Sequence, residues 1–317
     1  MGYTIIRPKE HAEWLQLREK GIGSSEVGTI LGLNPFQTAY QLWLRKTGKS
    51  EPVEENEAML MGHLLEDAVA QRWAIETGLQ VIKSSAGDWI AVDNERDFLR
   101  VSPDRIYWLS DKHSNGNKGI LECKTTQLEV DPDNIPAHWY VQLQYQLGVM
   151  GYKKGYLAWL TRGRKFGCKE IIFDKKLYAY LVDSIEKFVM ENLRGGKEPA
   201  AANVEDVMLK YPVSFSDPIE ASPELMEAVN KLRVVKPQLD YLTARKKDAE
   251  DKIKTLMGGH DSVVLPGTLE ENPKVVCTWR TAKASDKFDE KAFKAENPEL
   301  YDKYVHPVQG SRRFLLK

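Results

Sequence analysis

Cysteine is scarce in this chain: Cys123, Cys168 and Cys277 are the only three among 317 residues. They are odd in number and far apart, and none makes a Cys-x-x-Cys pair. That argues against a disulfide framework or a zinc site and fits a reducing compartment. Long apolar runs are missing as well. No stretch suits a bilayer span or a leader peptide, so the cytoplasm is the expected location and no membrane partner is expected. Excess charge of one sign is also lacking. The formal net charge is −1, so nothing global advertises nucleic acid. Any basic binding surface must be local, at Lys153–Lys154, Arg162–Arg164–Lys165 or Arg312–Arg313. There is no internal repeat and no low-complexity tract.

What is present suits a soluble globular protein, with 42% apolar and 29% charged residues. The length suggests one large domain plus an appendage. Composition changes after Pro199, and Pro212, Pro218 and Pro223 punctuate a linker-like stretch. The boundary is therefore expected near residue 215, with a core over 1–215 and an extension over 216–317. In the core, short helices are expected over Glu10–Lys20, Glu26–Leu31 and Tyr40–Thr47. A longer one spans Met59–Thr77, where Leu65, Val69 and Trp73 recur at i, i+4, i+8 and Gly78 closes the helix. Strands are expected at Leu79–Lys83, Trp89–Val92, Phe98–Val101, Ile106–Leu109 and Gly119–Thr125. Asn115-Gly116 marks a hairpin turn between the last two. A helix from Pro136 to Met150, strands Gly155–Leu160 and Lys169–Phe173, and a helix over Lys175–Leu193 complete the core. In the extension, Ser222-Pro223 starts a long charged helix to about Met257, with a break or kink expected at Pro237. Strands Asp261–Leu265 and Val275–Arg280, a helix near Phe288–Glu296 and a terminal strand Arg312–Leu316 follow.

The chemistry concentrates in two triplets, Ser102-Pro103-Asp104 and Glu122-Cys123-Lys124. Side chains alternate along a strand, so Ile120, Glu122 and Lys124 share one face and Leu121 and Cys123 the other. An exposed edge strand with an ordinary surface ion pair would also explain Glu122 and Lys124. Asp104 weighs against that, because a hairpin would set it beside Glu122, and two adjacent carboxylates repel unless a cation lies between them. Both are hard oxygen ligands suited to Mg²⁺. Glu66 lies on the partly apolar side of its helix with Val69, Ala70 and Trp73, and should be paired or metal-bound unless it is a boundary residue. His138, Gln142 and Gln146 form a polar stripe beside Val141, Tyr145 and Val149, either a solvated face or donors aimed at phosphate. Arg18 and the turn Gly23-Ser24-Ser25 offer a guanidinium and a helix start that suit a phosphate, against the alternative of a serine N-cap.

In this order the stretches resemble the YqaJ-type viral recombinase family, phage-type nucleases of the PD-(D/E)xK superfamily related to phage lambda exonuclease. The matching segments are Leu17–Val27, Gly62–Gly78, Ser102–Asp104, Leu121–Thr125 and Tyr140–Tyr145. The resemblance implies an α/β fold, a mixed central sheet flanked by helices, with a C-terminal α+β appendage. It implies Mg²⁺-dependent hydrolysis of double-stranded DNA, with Mn²⁺ able to substitute. Asp104, Glu122 and Glu66 would ligate the metal, Lys124 would orient the attacking water, and Gln142 would contact DNA. Arg18, Ser25 and Ser102 match positions that bind a 5′-phosphate, with Ser24, His138 and Tyr145 as further DNA contacts. A phage or prophage origin in a bacterial host, a trimeric ring and a single-strand annealing partner also follow from the resemblance. The leading expectation is resection from a 5′ end to leave a 3′ single strand. An endonuclease of the same superfamily and a non-catalytic DNA-binding or assembly protein are the alternatives.

Overall fold

The computed structural model describes residues 2–51, 56–82, 89–109, 117–267, 274–308 and 310–316. The chain divides into two compact units, Met1–Lys210 and Tyr211–Lys317. The first begins with a strand, β1 (Tyr3–Ile6), and four helices: α1 (His11–Glu19), α2 (Ser24–Ile30), α3 (Ala39–Lys46) and α4 (Glu57–Thr77). Their ends carry the expected chemistry. Thr38 Oγ1 caps α3 by accepting the Gln41 N–H at 3.1 Å, and Asn56 Oδ1 caps α4 through the Met59 N–H at 3.0 Å. Gly78 closes α4 in the left-handed region at φ 69°. Then come β2 (Val81–Ile82), β3 (Ile90–Asp93), β4 (Arg100–Val101), β5 (Arg105–Trp108), β6 (Lys118–Thr126), α5 (Ala137–Met150), β7 (Lys154–Thr161), β8 (Lys165–Ile172) and α6 (Lys175–Lys187). The helix expected over Lys175–Leu193 widens into a π-helical segment at Phe188–Arg194. Two elements of this unit were not expected: β1, and α7 (Val204–Lys210), which lies in the stretch that composition marks as linker-like. The Asn115-Gly116 turn lies outside the described residues.

Five strands form the main sheet in the order β2-β5-β6-β7-β8. β5 pairs antiparallel with β6, while β6 and β7 are parallel, as a crossover through α5 requires. The sheet is therefore mixed. A smaller sheet runs β1-β3-β4. The alternation of β6 separates two apolar clusters. Leu121 and Cys123 pack with Val69 and Trp73 of α4, and Ile120 packs with Leu143, Tyr145 and Leu147 of α5. Helices thus cover both faces, and every apolar side chain of β6 has a buried destination. The same alternation sends Glu122 and Lys124 to the α5 face.

The second unit starts with α8 (Pro223–Met257), capped by Ser222 Oγ, which accepts the Leu225 N–H at 3.1 Å. Pro237 lies inside this helix and does not break it. Proline removes one hydrogen bond, and the turns on both sides remain helical across it. β9 (Ser262–Val264) and β10 (Val275–Thr278) pair antiparallel. α9 (Glu290–Glu296) and an unexpected α10 (Pro298–Tyr304) follow. The described residues of Arg312–Leu316 are not a strand. β-branched residues are absent there, and no neighbouring strand pairs with them. Among the described residues, no helix is long and apolar enough to cross a membrane.

Candidate active site

Glu122 is fully buried at the centre of β6, and a buried carboxylate needs donors. It has three. Lys124 Nζ donates to its Oε1 at 2.7 Å, Gln142 Nε2 donates to the same oxygen, and Gln146 Nε2 donates to Oε2 at 2.9 Å. Lys124 Nζ also donates to Gln142 Oε1 at 2.9 Å. The surface ion pair considered for this strand is therefore an inward cluster. Burial disfavours the Lys124 charge, but Glu122 and then Asp104 outweigh it and hold its pKa above the ordinary lysine range. The glutamine stripe of α5 is buried, not solvated.

Asp104 directly precedes β5. Arg105 pairs with Leu121, so continuing that register by one residue brings Asp104 opposite Glu122. Its Oδ2 accepts the Cys123 backbone N–H at 2.7 Å. Burial pushes the Asp104 carboxyl well above the usual range, and repulsion from Glu122 and Glu66 adds to it. Glu66 reaches in from α4. Burial raises its pKa too, partly offset by Arg105, whose Nη1 lies 3.6 Å away. Arg105 also bonds Asp67 at 2.6 Å and the Asp104 carbonyl at 2.6 Å. The sequence reading missed Arg105; its place directly after Ser-Pro-Asp was the available signal. Cys123 points to the opposite face, into the α4 cluster. Among the described residues, no three His, Cys, Asp or Glu side chains are grouped closely enough to hold a metal ion. The three acids act on one another electrostatically while Lys124 and Arg105 share the space around them.

The turn before α2 approaches the same region. Gly23, not a serine, is the N-cap, and Ser24 is the first helical residue. The serine hydroxyls are thus not spent on capping. Arg18 Nη2 donates to Ser25 Oγ at 2.9 Å, and the guanidinium stacks over Trp14 at 4.9 Å. Ser24 Oγ accepts from Gln146 Nε2 at 3.1 Å, which joins the turn to Glu122 through one side chain. Behind the turn sits a buried Glu26. Its Oε2 accepts the Gly23 N–H at 2.8 Å, and its Oε1 meets Arg45 and, at 3.1 Å, Lys46. Burial raises the Glu26 pKa, but Lys46 and Arg45 more than reverse that and leave it lowered. Lys46 Nζ also donates to the Gly21 carbonyl at 2.7 Å and the Arg18 carbonyl at 3.2 Å. The sequence reading did not identify Glu26, Arg45 or Lys46 as supports of the turn.

The remaining expected residues separate by role. Ser102 Oγ donates to the Trp89 carbonyl and accepts from Trp14 Nε1 at 3.4 Å. It is linked to Arg18 through the Trp14 ring, not directly. Tyr145 is fully buried; its hydroxyl donates to the Ile22 carbonyl at 3.0 Å and accepts the Arg100 N–H at 2.9 Å. It braces the turn from behind and has no surface to offer DNA, which corrects its expected contact role. His138 packs against Gly28 of α2, where an added Cβ would stand 2.8 Å from the His138 Cβ. Burial, then Lys124, lowers its pKa and favours the neutral ring. Two of the expected local cations are engaged by acids, Lys154 with Glu170 and Lys165 with Glu129, both at 2.6 Å.

Residues 13–153 match the family model of the YqaJ-like viral recombinase domain. The uncharacterized protein YqaJ of Bacillus subtilis (strain 168) is 33% identical over 318 aligned residues, covering 96% of this chain and 93% of that protein. Among solved structures, the alkaline exonuclease LHK-Exo from Laribacter hongkongensis matches with a TM-score of 0.43 at 19% identity, over 63% of this chain and 97% of that one. A phage-related exonuclease from Haemophilus somnus 129PT matches with a TM-score of 0.40 at 14% identity, over 56% of this chain and 96% of that one.

Proposed function

This chain belongs to the YqaJ-like viral recombinase family, and we propose that it is a divalent-metal exonuclease that resects duplex DNA from a phosphorylated 5′ end. The observation that carries this reading is the buried cluster of Glu122, Lys124 and Gln142 beside Asp104, tied through Gln146 to the turn that bears Arg18 and Ser25. Asp104, Glu122 and Glu66 supply hard oxygens whose mutual repulsion a cation would relieve; their chemistry suits Mg²⁺, with Mn²⁺ as a substitute, and they would have to draw closer together than they stand here to hold it. When bound, such an ion polarises a phosphate and lowers the pKa of a bound water.

The chain's own residues account for the rest. Lys124 stays protonated and places positive charge where the attacked phosphate gains negative charge. Gln142 holds Lys124 and Glu122 in register through the two ends of its amide. Arg18 offers its guanidinium to a terminal phosphate, and Ser25 is bonded to it. Ser102 supports that site through Trp14. In this reading 1–215 is the catalytic core and 216–317 an extension. A trimeric ring, a single-strand annealing partner and action in the bacterial cytoplasm complete it.

The test uses end-labelled linear duplex and a covalently closed circle, each with Mg²⁺ or EDTA. The expected result is metal-dependent loss of the linear duplex from its 5′ ends and an intact circle. Lys124→Ala should abolish it. Cutting of the circle would instead identify an endonuclease. Binding without hydrolysis under any divalent metal would identify a non-catalytic protein.

A further inference from the structure

Gln146 is fully buried on α5, and its single amide nitrogen serves two elements. It donates to Ser24 Oγ at 3.1 Å and to Glu122 Oε2 at 2.9 Å. Both N–H bonds are used, and they set the orientation of the amide. Turning it over would press Oε1 against the Glu122 carboxylate. The cost lies at the other end of the side chain, where Oε1 is buried without a hydrogen-bond donor among the described residues. Leaving a buried acceptor unpaired is destabilising. A residue retained only for packing would not carry that cost, since methionine fills a similar volume without it.

The consequence falls on Ser24. Its oxygen accepts from Gln146, so its own proton remains to be donated. Among the described residues no acceptor receives it. Ser25, next in the helix, is bonded to Arg18 at 2.9 Å. Ser24, held by Gln146, and Ser25, held by Arg18, are thus successive residues of the turn, and Ser24 keeps a proton to give.

We propose that Gln146 is a positioning residue that orients the Ser24 hydroxyl toward the terminal 5′-phosphate of DNA and, through the same nitrogen, ties that phosphate turn to Glu122. This rests on the reading of the site as a nuclease acting at phosphorylated ends. The phosphate end and the acidic cleft are then coupled by one side chain, and the two shift together.

The test measures binding of fluorescein-labelled duplexes with 5′-phosphoryl or 5′-hydroxyl ends by anisotropy, in EDTA, so that no metal or turnover contributes. The readout is the ratio of the two affinities. Gln146→Met and Ser24→Ala should each lower that ratio by about threefold to tenfold, the worth of one net hydrogen bond. The double variant should lower it no further, because the two residues act as one unit. Gln146→Leu serves as a second probe if the methionine variant folds poorly. With Mg²⁺ restored, Gln146→Met should lower kcat on phosphorylated ends more than on hydroxyl ends. An unchanged ratio in Gln146→Met, with both affinities lowered alike, would reduce Gln146 to packing and overturn the proposal. Additive losses in the double variant would overturn it too. If the wild-type chain does not prefer the phosphorylated end, the nuclease reading at phosphorylated ends fails first and takes this proposal with it.

Discussion

Asp104 and Cys123 are joined across two strands: the Asp104 carboxylate accepts the Cys123 backbone N–H at 2.7 Å. Main chain thus fixes a side chain whose ionisation burial and the neighbouring acids oppose. Asp104→Asn keeps an acceptor for that N–H and removes one of three repelling charges. The expected outcome is a melting temperature in EDTA equal to or above that of the wild type, measured by differential scanning calorimetry. Hydrolysis of linear duplex should fall by about a hundredfold or more, the usual scale for a lost electrostatic group at a reacting phosphate. A variant that melts lower and still cuts would contradict this account of Asp104.

Lys124 is the cation of the buried cluster, and among the described residues Glu122 has no other charged donor there. Lys124→Met removes the charge and keeps the stem. It should destabilise the protein by about 1–3 kcal/mol, because a buried carboxylate loses its counter-ion. Urea unfolding would measure the loss. Lys124→Arg keeps the charge but not the compact ammonium, so stability should recover more than activity does.

Glu26 gives a dependence on pH whose sign follows from its surroundings. Lys46 and Arg45 overcome burial and hold its folded pKa below the unfolded 4.5. An acid with a lowered folded pKa stabilises the fold fully above its unfolded pKa, and the contribution fades as pH falls through the folded value. The stability gap between wild type and Glu26→Gln should therefore be constant near neutrality and narrow below about pH 4.5. Chemical denaturation at pH 7, 5 and 3.5 would follow it. A gap that widens on acidification would rule out this role.

Gly28 lets α2 lie against α5. A Cβ there would meet the His138 Cβ at 2.8 Å and its Cα at 3.3 Å, neither of them a flexible tip. Gly28→Ala should cost about 1–3 kcal/mol by overpacking. It should also weaken the preference for phosphorylated ends, since displacing α2 moves Ser24 and Ser25. A thermal melt and the end-binding ratio would report the two effects separately.

Much of this architecture was legible in the chain. Alternation along Lys118–Thr126 correctly assigned Glu122 and Lys124 to one face and Cys123 to the other, because strand geometry leaves no other choice. The extent of α4 followed from Leu65, Val69, Trp73 and Gly78, a local periodicity with a local stop. Other features depend on distant partners. The glutamines of α5 had a solvated alternative, which the chain alone does not remove. They are buried because α2 and β6 close over them, and their acceptors come from both elements. Tyr145 was expected to contact DNA, and only packing showed that its hydroxyl is consumed by Ile22 and Arg100. Pro237 was expected to break or kink α8; the helix of 35 residues runs unbroken through it, because the turns on both sides keep their own hydrogen bonds.

The residue sequence by itself determined the chemical inventory and its local presentation: acids and a lysine at strand spacing, a glycine-serine turn after an arginine, a glutamine helix. These follow from backbone periods of 2.0 and 3.6 residues, which neighbours in sequence suffice to express. Only the tertiary structure decided which of those groups meet. Glu26 with Lys46, Gln146 with Ser24 and Glu122, and Arg105 with Glu66 are pairings across elements. They form because burial limits the water each charge or amide can turn to, so it takes the partner that the packed helices and sheet bring within reach.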